Sequence, residues 1–154
     1  MPRILQVNAQ LYSRLVVDEA QLRHCFTLLD GMEHYGAPTG ELSLVFMSDT
    51  DLAQLHADFL DDPSPTDVIT FPGDEEMDFA GEICVSVDRA RDEAPKHGLS
   101  FSEELTLYLV HGWLHLAGLD DLDDASREEM RFAESLCVQL LHAEKAIPEF
   151  VLHS

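Results

Sequence analysis

Basic side chains are scarce in this 154-residue chain: nine lysines and arginines face 30 aspartates and glutamates, leaving a formal net charge of −21 at pH 7. Such a balance argues against nucleic acid held on a broad basic surface, because phosphate contacts normally supply that affinity. A local basic groove stays open. Arg89, Arg91 and Lys96 form the densest basic cluster, and taken alone they read as a solvated helix face. Long apolar runs are also missing, so no segment is long enough to cross a bilayer and no membrane partner is expected. The first residues, MPRILQVNAQ, lack the apolar core and small-residue cleavage site of a signal peptide, which makes the cytoplasm the expected location. Cysteine is limited to Cys25, Cys84 and Cys137, far apart and each among apolar neighbours. Three such residues suit reduced thiols that fill a core and argue against a disulfide framework.

What is present points to one α/β (α+β) domain spanning residues 1–154. Apolar residues make up 45% of the chain, spread along it without internal repeat or linker. Residues 3 to 9 read as a strand. From Asp18, a plausible N-cap, Leu22, Cys25, Phe26, Leu29 and Met32 keep helical spacing until Gly36 ends it. ELSLVFMS (41 to 48) alternates Leu42, Leu44 and Phe46 as a strand, and Leu52, Leu55 and Phe59 follow on a helix. TDVITF (66 to 71) and GEICVSV (81 to 87) are expected to pair as antiparallel strands, the first bracketed by Pro63, Pro65 and Pro72. A short helix after Asp88 is cut by Pro95 and closed by Gly98. Ser100 with Glu103, or Ser102 alone, caps a helix running to Gly118. A last helix, about 125 to 143, places Met130, Phe132, Ala133, Leu136, Cys137, Leu140 and Leu141 around one broad face. The expected architecture is a small mixed sheet of about four strands packed with helices, with a metal-binding helix near the C-terminal half.

The chemistry concentrates in HGWLHLAGLDD, residues 111 to 121. Residues four apart on a helix project within roughly 40° of each other, so His111 and His115 form a two-toothed metal clip. Gly118 stops the helix and lets the chain turn back, so that a residue near 121 approaches the same point from a third direction. Two imidazoles and a carboxylate suit zinc, and three protein ligands leave a fourth position open, as hydrolytic zinc sites require. A plainer account competes: two histidines at this spacing also occur as core or surface residues, an acidic run is usually a solvated loop, and Gly112 serves close helix packing. Asp120 and Asp123 compete with Asp121 for the third ligand position.

These residues resemble the signature H-G-x-L-H-L-x-G-x-D-H of the YbeY-type endoribonucleases, or rRNA maturation factors. His111, Gly112, Leu114, His115, Leu116, Gly118 and Asp120 stand where that pattern places them. PTDVITFP (65 to 72) is similar to the family's P-T-[DN]-V-[LI]-[ST]-F-P block, and GEICVSVDRAR (81 to 91) to its following strand and helix start. Glu104, Met130 and Glu134 also match. The resemblance covers most of the chain from about residue 41 and, more weakly, the N-terminal strand and helix. Two positions depart from the family: its third metal histidine falls on Asp121, and an arginine that many members carry before the P-T block is replaced by Leu60.

The resemblance implies a metal-dependent single-strand endoribonuclease with one Zn2+ per chain. It also implies a place in small-subunit rRNA maturation and ribosome quality control, with rRNA, ribosomal proteins or assembly factors as partners and no DNA. His111, His115 and Asp121 would hold the metal, with Glu104 beside them as a catalytic carboxylate. Asp120, Tyr108, Thr66, Asp67, Thr70, Arg89 and Arg91 are candidates to support the imidazoles or meet the substrate. Phe71 and Trp113 are read as core residues or as stacking platforms for a base. A reading of another class, a ribosome-assembly protein that binds without cutting, rests on Asp121, Leu60 and an acidic surface suited to basic proteins. A metalloprotease shares the H-x3-H-x5-[HD] spacing but places a glutamate where this chain has Gly112.

Overall fold

The computed structural model describes residues 3–60 and 66–153, and for Leu60 the backbone only. The chain runs β1 (Ile4–Asn8), β2 (Leu15–Val17), α1 (Glu19–Asp30), β3 (Glu41–Met47), α2 (Asp49–Leu60), β4 (Val68–Asp74), β5 (Phe79–Ser86), α3 (Val87–Glu93), α4 (Phe101–Leu116), α5 (Asp124–Ala143) and β6 (Phe150–Leu152). Short 3-10 turns at Glu75–Met77 and Pro95–His97 join β4 to β5 and α3 to α4. Pro63, Pro65 and the Leu60 side chain lie outside the described residues.

The main sheet has four strands in the order β1-β3-β5-β4. β1, β3 and β5 run parallel, and β4 returns antiparallel against β5 as the hairpin pattern predicts. β4 is an edge strand, so Pro72 removes no interior ladder bond. Strand alternation sends Leu42, Leu44 and Phe46 of β3 and Ile83 and Val85 of β5 to one face, where they meet Leu22, Phe26, Leu105, Leu109 and Trp113. The opposite face carries a smaller cluster, Met47, Leu52, Ile69 and Cys84, beneath α2. All three cysteines are buried free thiols, as expected.

Helix boundaries follow their caps. Asp18 accepts the Gln21 amide and starts α1, which ends at Asp30 and not at Gly36. There the Gly31 amide closes the last turn onto the carbonyls of Thr27 and Leu28, while the Asp30 side chain reaches out to Arg3 and Trp113. α3 stops before Pro95, and Gly98 turns at φ 68°. The Ser100–Glu103 capping box opens α4, and Asp123 caps α5. α5 buries Met130, Ala133, Cys137 and Leu141, but Phe132 stands 64% exposed, about 100° away from its buried neighbour Ala133. The small β2–β6 ribbon, Leu15 to Val17 against Leu152 to Phe150, is not foreseen in the sequence. Among the described residues no helix is long and apolar enough to cross a membrane.

One packing detail sets the height of α4 over the sheet. A Cβ on Gly112 would lie 2.5 Å from Ile83 Cγ2, and a Cβ on Gly81, whose φ is +143°, would lie 2.8 Å from Leu116 Cδ2. Two glycines thus seat the C-terminal half of α4 directly on β5.

Candidate metal centre

His111 and His115 project from the same flank of α4 with ring centroids 4.7 Å apart. The helix then ends: Gly118 donates to the His115 carbonyl, Leu119 donates to the Leu114 carbonyl, and Gly118 adopts φ +106°. That reversal delivers Asp121, whose Oδ2 lies 3.7 Å from His111 Nε2 and whose Oδ1 lies 3.8 Å from His115 Nε2. One ligand atom from each of the three residues falls within 4.8 Å of the others. Tetrahedral zinc with bonds of about 2.0–2.1 Å sets its ligands roughly 3.4 Å apart, so small side-chain movements bring the three onto one ion. The group can therefore hold a metal ion.

The competing aspartates are otherwise engaged. Asp123 accepts the Ser126 amide at 2.8 Å as the cap of α5, and Asp120 is exposed and accepts the Leu122 amide. Arg127 donates to the Asp121 carbonyl at 3.4 Å.

The second nitrogen of His111 has a partner on a different helix. Glu134 Oε2 of α5 lies 3.0 Å from His111 Nδ1. Burial pulls the His111 pKa down, but the Glu134 hydrogen bond and the charges of Glu134, Asp67 and Asp121 outweigh it and leave the value raised. His115 goes the other way, lowered by burial and by the neighbouring His111. Asp67, at the head of β4, is raised by burial against the opposing field of His111. Its carbonyl accepts the Ser86 amide at 3.0 Å.

Glu104 and Tyr108 share the histidine face but form a separate group. The Glu104 carboxylate, 1% exposed, takes His97 Nδ1 at 2.9 and 3.1 Å. Burial and the neighbouring Glu104 carboxylate push the Tyr108 pKa up. Neither residue supports an imidazole of the metal clip. Thr66 turns its hydroxyl to the Val68 carbonyl at 3.3 Å. Thr70 pairs across the ladder with Ile83 and so faces α4. Arg89 is held by Asp49 through two bonds of 3.2 Å, with Asp67 adding to the field that raises its pKa. Arg91 turns instead to Asp92 and Asp88. Trp113 is fully buried with its indole N–H on Asp30 at 3.0 Å, so it is a core residue and offers no face for stacking. Phe71 packs edge-on against Phe59 at 5.6 Å.

The chain matches the family model described as Endoribonuclease YbeY over residues 10–142. It belongs to the YbeY endoribonuclease family. Among its relatives of that name, one from Flavobacterium johnsoniae is 36% identical over 106 residues, covering 69% of this chain and 76% of the relative. One from Exiguobacterium is 33% identical over 131 residues, covering 77% and 80%. The solution structure of TM1509 from Thermotoga maritima superposes with a TM-score of 0.61 at 26% identity, covering 92% of this chain and 90% of that one. YbeY membership supports an RNA endonuclease role, with RNA as the substrate class.

The role of Glu134 as the partner of His111 is absent from the sequence reading. A carboxylate on the inward stripe of an otherwise apolar helix face is the signal that could have found it.

Proposed function

We propose that this YbeY-family protein is a zinc-dependent single-strand endoribonuclease that acts in the cytoplasm on small-subunit rRNA, in its maturation and in ribosome quality control. Residues 1–154 act as one hydrolase domain. The observation that carries the reading is the convergence of His111, His115 and Asp121 from a helix end and its return turn, in a chain of an endoribonuclease family. The donor set fits zinc: two imidazoles, one carboxylate and a fourth position left free. Zinc, when bound there, supplies a Lewis acid beside a phosphodiester.

The remaining steps belong to the chain's own side chains. Asp67 is the candidate to move a proton: it stands at the head of β4, the strand that packs against α4, and burial raises its pKa above the ordinary carboxylate value. Glu104, expected to do this, is engaged by His97. Arg89, whose pKa Asp67 helps to raise, is the cation we assign to a phosphate contact.

The net charge of −21 favours a second reading, a ribosome-assembly protein that docks on basic ribosomal proteins without cutting RNA. Bound metal per chain, measured on wild type, Asp121→Ala and Asp121→His, separates the two. The nuclease reading expects near-stoichiometric zinc in the wild type, a large loss in Asp121→Ala, retention in Asp121→His, and RNA cleavage that tracks the metal. A wild type without metal that gains it through Asp121→His would leave the binding reading standing.

A further inference from the structure

We propose that Glu134 is a positioning residue of the metal centre, which commits Nε2 of His111 to the ion by holding Nδ1–H of the same ring. The inference rests on the metal-dependent reading above and adds a component from a second helix.

The geometry is specific. Oε2 of Glu134 stands 3.0 Å from His111 Nδ1, while Nε2 of that ring faces Asp121 Oδ2 at 3.7 Å. A carboxylate acceptor puts the ring proton on Nδ1, which leaves the Nε2 lone pair free for a metal and fixes the plane of the imidazole. Among the described residues Glu134 has no lysine or arginine partner, and its ion pair is with His111. A carboxylate with 17% of its side chain exposed, taken from water onto the face that α5 packs on α4, costs free energy that a leucine there would not. A leucine there would avoid that cost, whereas the carboxylate presets the imidazole.

The two clip residues are also unequal. Among the described residues no hydrogen bond reaches the second nitrogen of His115, so His111 is the imidazole whose orientation a partner fixes in advance. Because Glu134 comes from α5, the docking of α5 against α4 becomes part of building the site.

Three measurements on the 154-residue chain test this. Zinc affinity by chelator competition is expected to weaken about 10- to 100-fold in Glu134→Ala. Glu134→Gln, which keeps an acceptor and loses the charge, should fall between Ala and wild type. The Tm of metal-free Glu134→Gln should be at or above that of the wild type, whereas a purely structural residue would lower stability and affinity together. Imidazole 1H–15N spectra of the metal-free protein should show His111 as the Nδ1–H tautomer in the wild type and shifted toward Nε2–H in Glu134→Ala. Wild-type zinc affinity in both variants would overturn the inference while leaving the metal reading intact. An affinity loss matched by an equal loss of metal-free stability, with the tautomer unchanged, would overturn it too. A wild type that binds no zinc would remove both.

Discussion

Gly112, next to His111, shows how one hydrogen atom in place of a methyl group sets the site. Alanine is favoured over glycine by about 1 kcal/mol in a helix interior, so propensity alone recommends Gly112→Ala. The added Cβ would lie 2.5 Å from Cγ2 and 3.2 Å from Cγ1 of Ile83, a fully buried, β-branched side chain that cannot swing aside. Overpacking of this kind costs about 1–3 kcal/mol, so Gly112→Ala should destabilise the protein by about 1 kcal/mol net in urea denaturation. It should also weaken zinc binding, because lifting α4 from β5 moves His111 relative to Glu134. A stability at or above wild type would show that Ile83 gives way. At this scale the sequence is legible only locally. One helical turn makes the pairing of His111 with His115 readable, and Gly118 makes the return of Asp121 readable. The Glu134 contact spans 23 positions between two helices, and no spacing encodes that. The same limit explains Glu104: it shares the histidine face, but His97, seven positions upstream, takes its carboxylate.

Elements are legible where a side chain marks the end. The Ser100–Glu103 box marks the start of α4 in the sequence, whereas the Asp123 cap of α5 is not read there and α1 ends early, where Asp30 makes tertiary contacts. β2 and β6 escape because three-residue strands carry no period and pair from opposite ends of the chain. The junction of α3 and α4 has its own pH dependence. His97 lies on the connecting turn and bonds the buried Glu104 carboxylate, which together with the charge of Glu104 raises the His97 pKa. A histidine raised in the folded state contributes stability that is fully present below its ordinary value of about 6.5 and is lost as pH rises through the raised folded value. His97→Gln cannot gain the proton. The Tm difference between wild type and His97→Gln, measured without metal, should therefore be largest near pH 6 and shrink as pH climbs past the raised value. A difference that is flat with pH, or that grows upward, would mean that the bond acts without charge.

At the scale of the whole molecule, the question is how a chain with a net charge of −21 engages a polyanion. The cluster of Arg89, Arg91 and Lys96 that the sequence groups together is divided in the fold: Arg89 turns to Asp49, Arg91 to Asp88 and Asp92, and Lys96 to Glu93. No continuous basic face arises from it, so long-range attraction does not supply RNA affinity; on the proposed reading a bound cation and one or two local phosphate contacts supply it. Each phosphate contact to a single strand contributes about 0.7 to the slope of log affinity against log salt. Two contacts therefore predict a loss of about sevenfold between 50 and 200 mM salt for a single-stranded oligonucleotide bound to the zinc-loaded protein. Asp49→Asn, which loosens the clamp on Arg89 without touching the metal residues, should strengthen that binding several-fold. A loss of about 100-fold over the same salt range would correspond to roughly five phosphate contacts and would place the RNA on a basic surface that this arrangement of ion pairs does not provide.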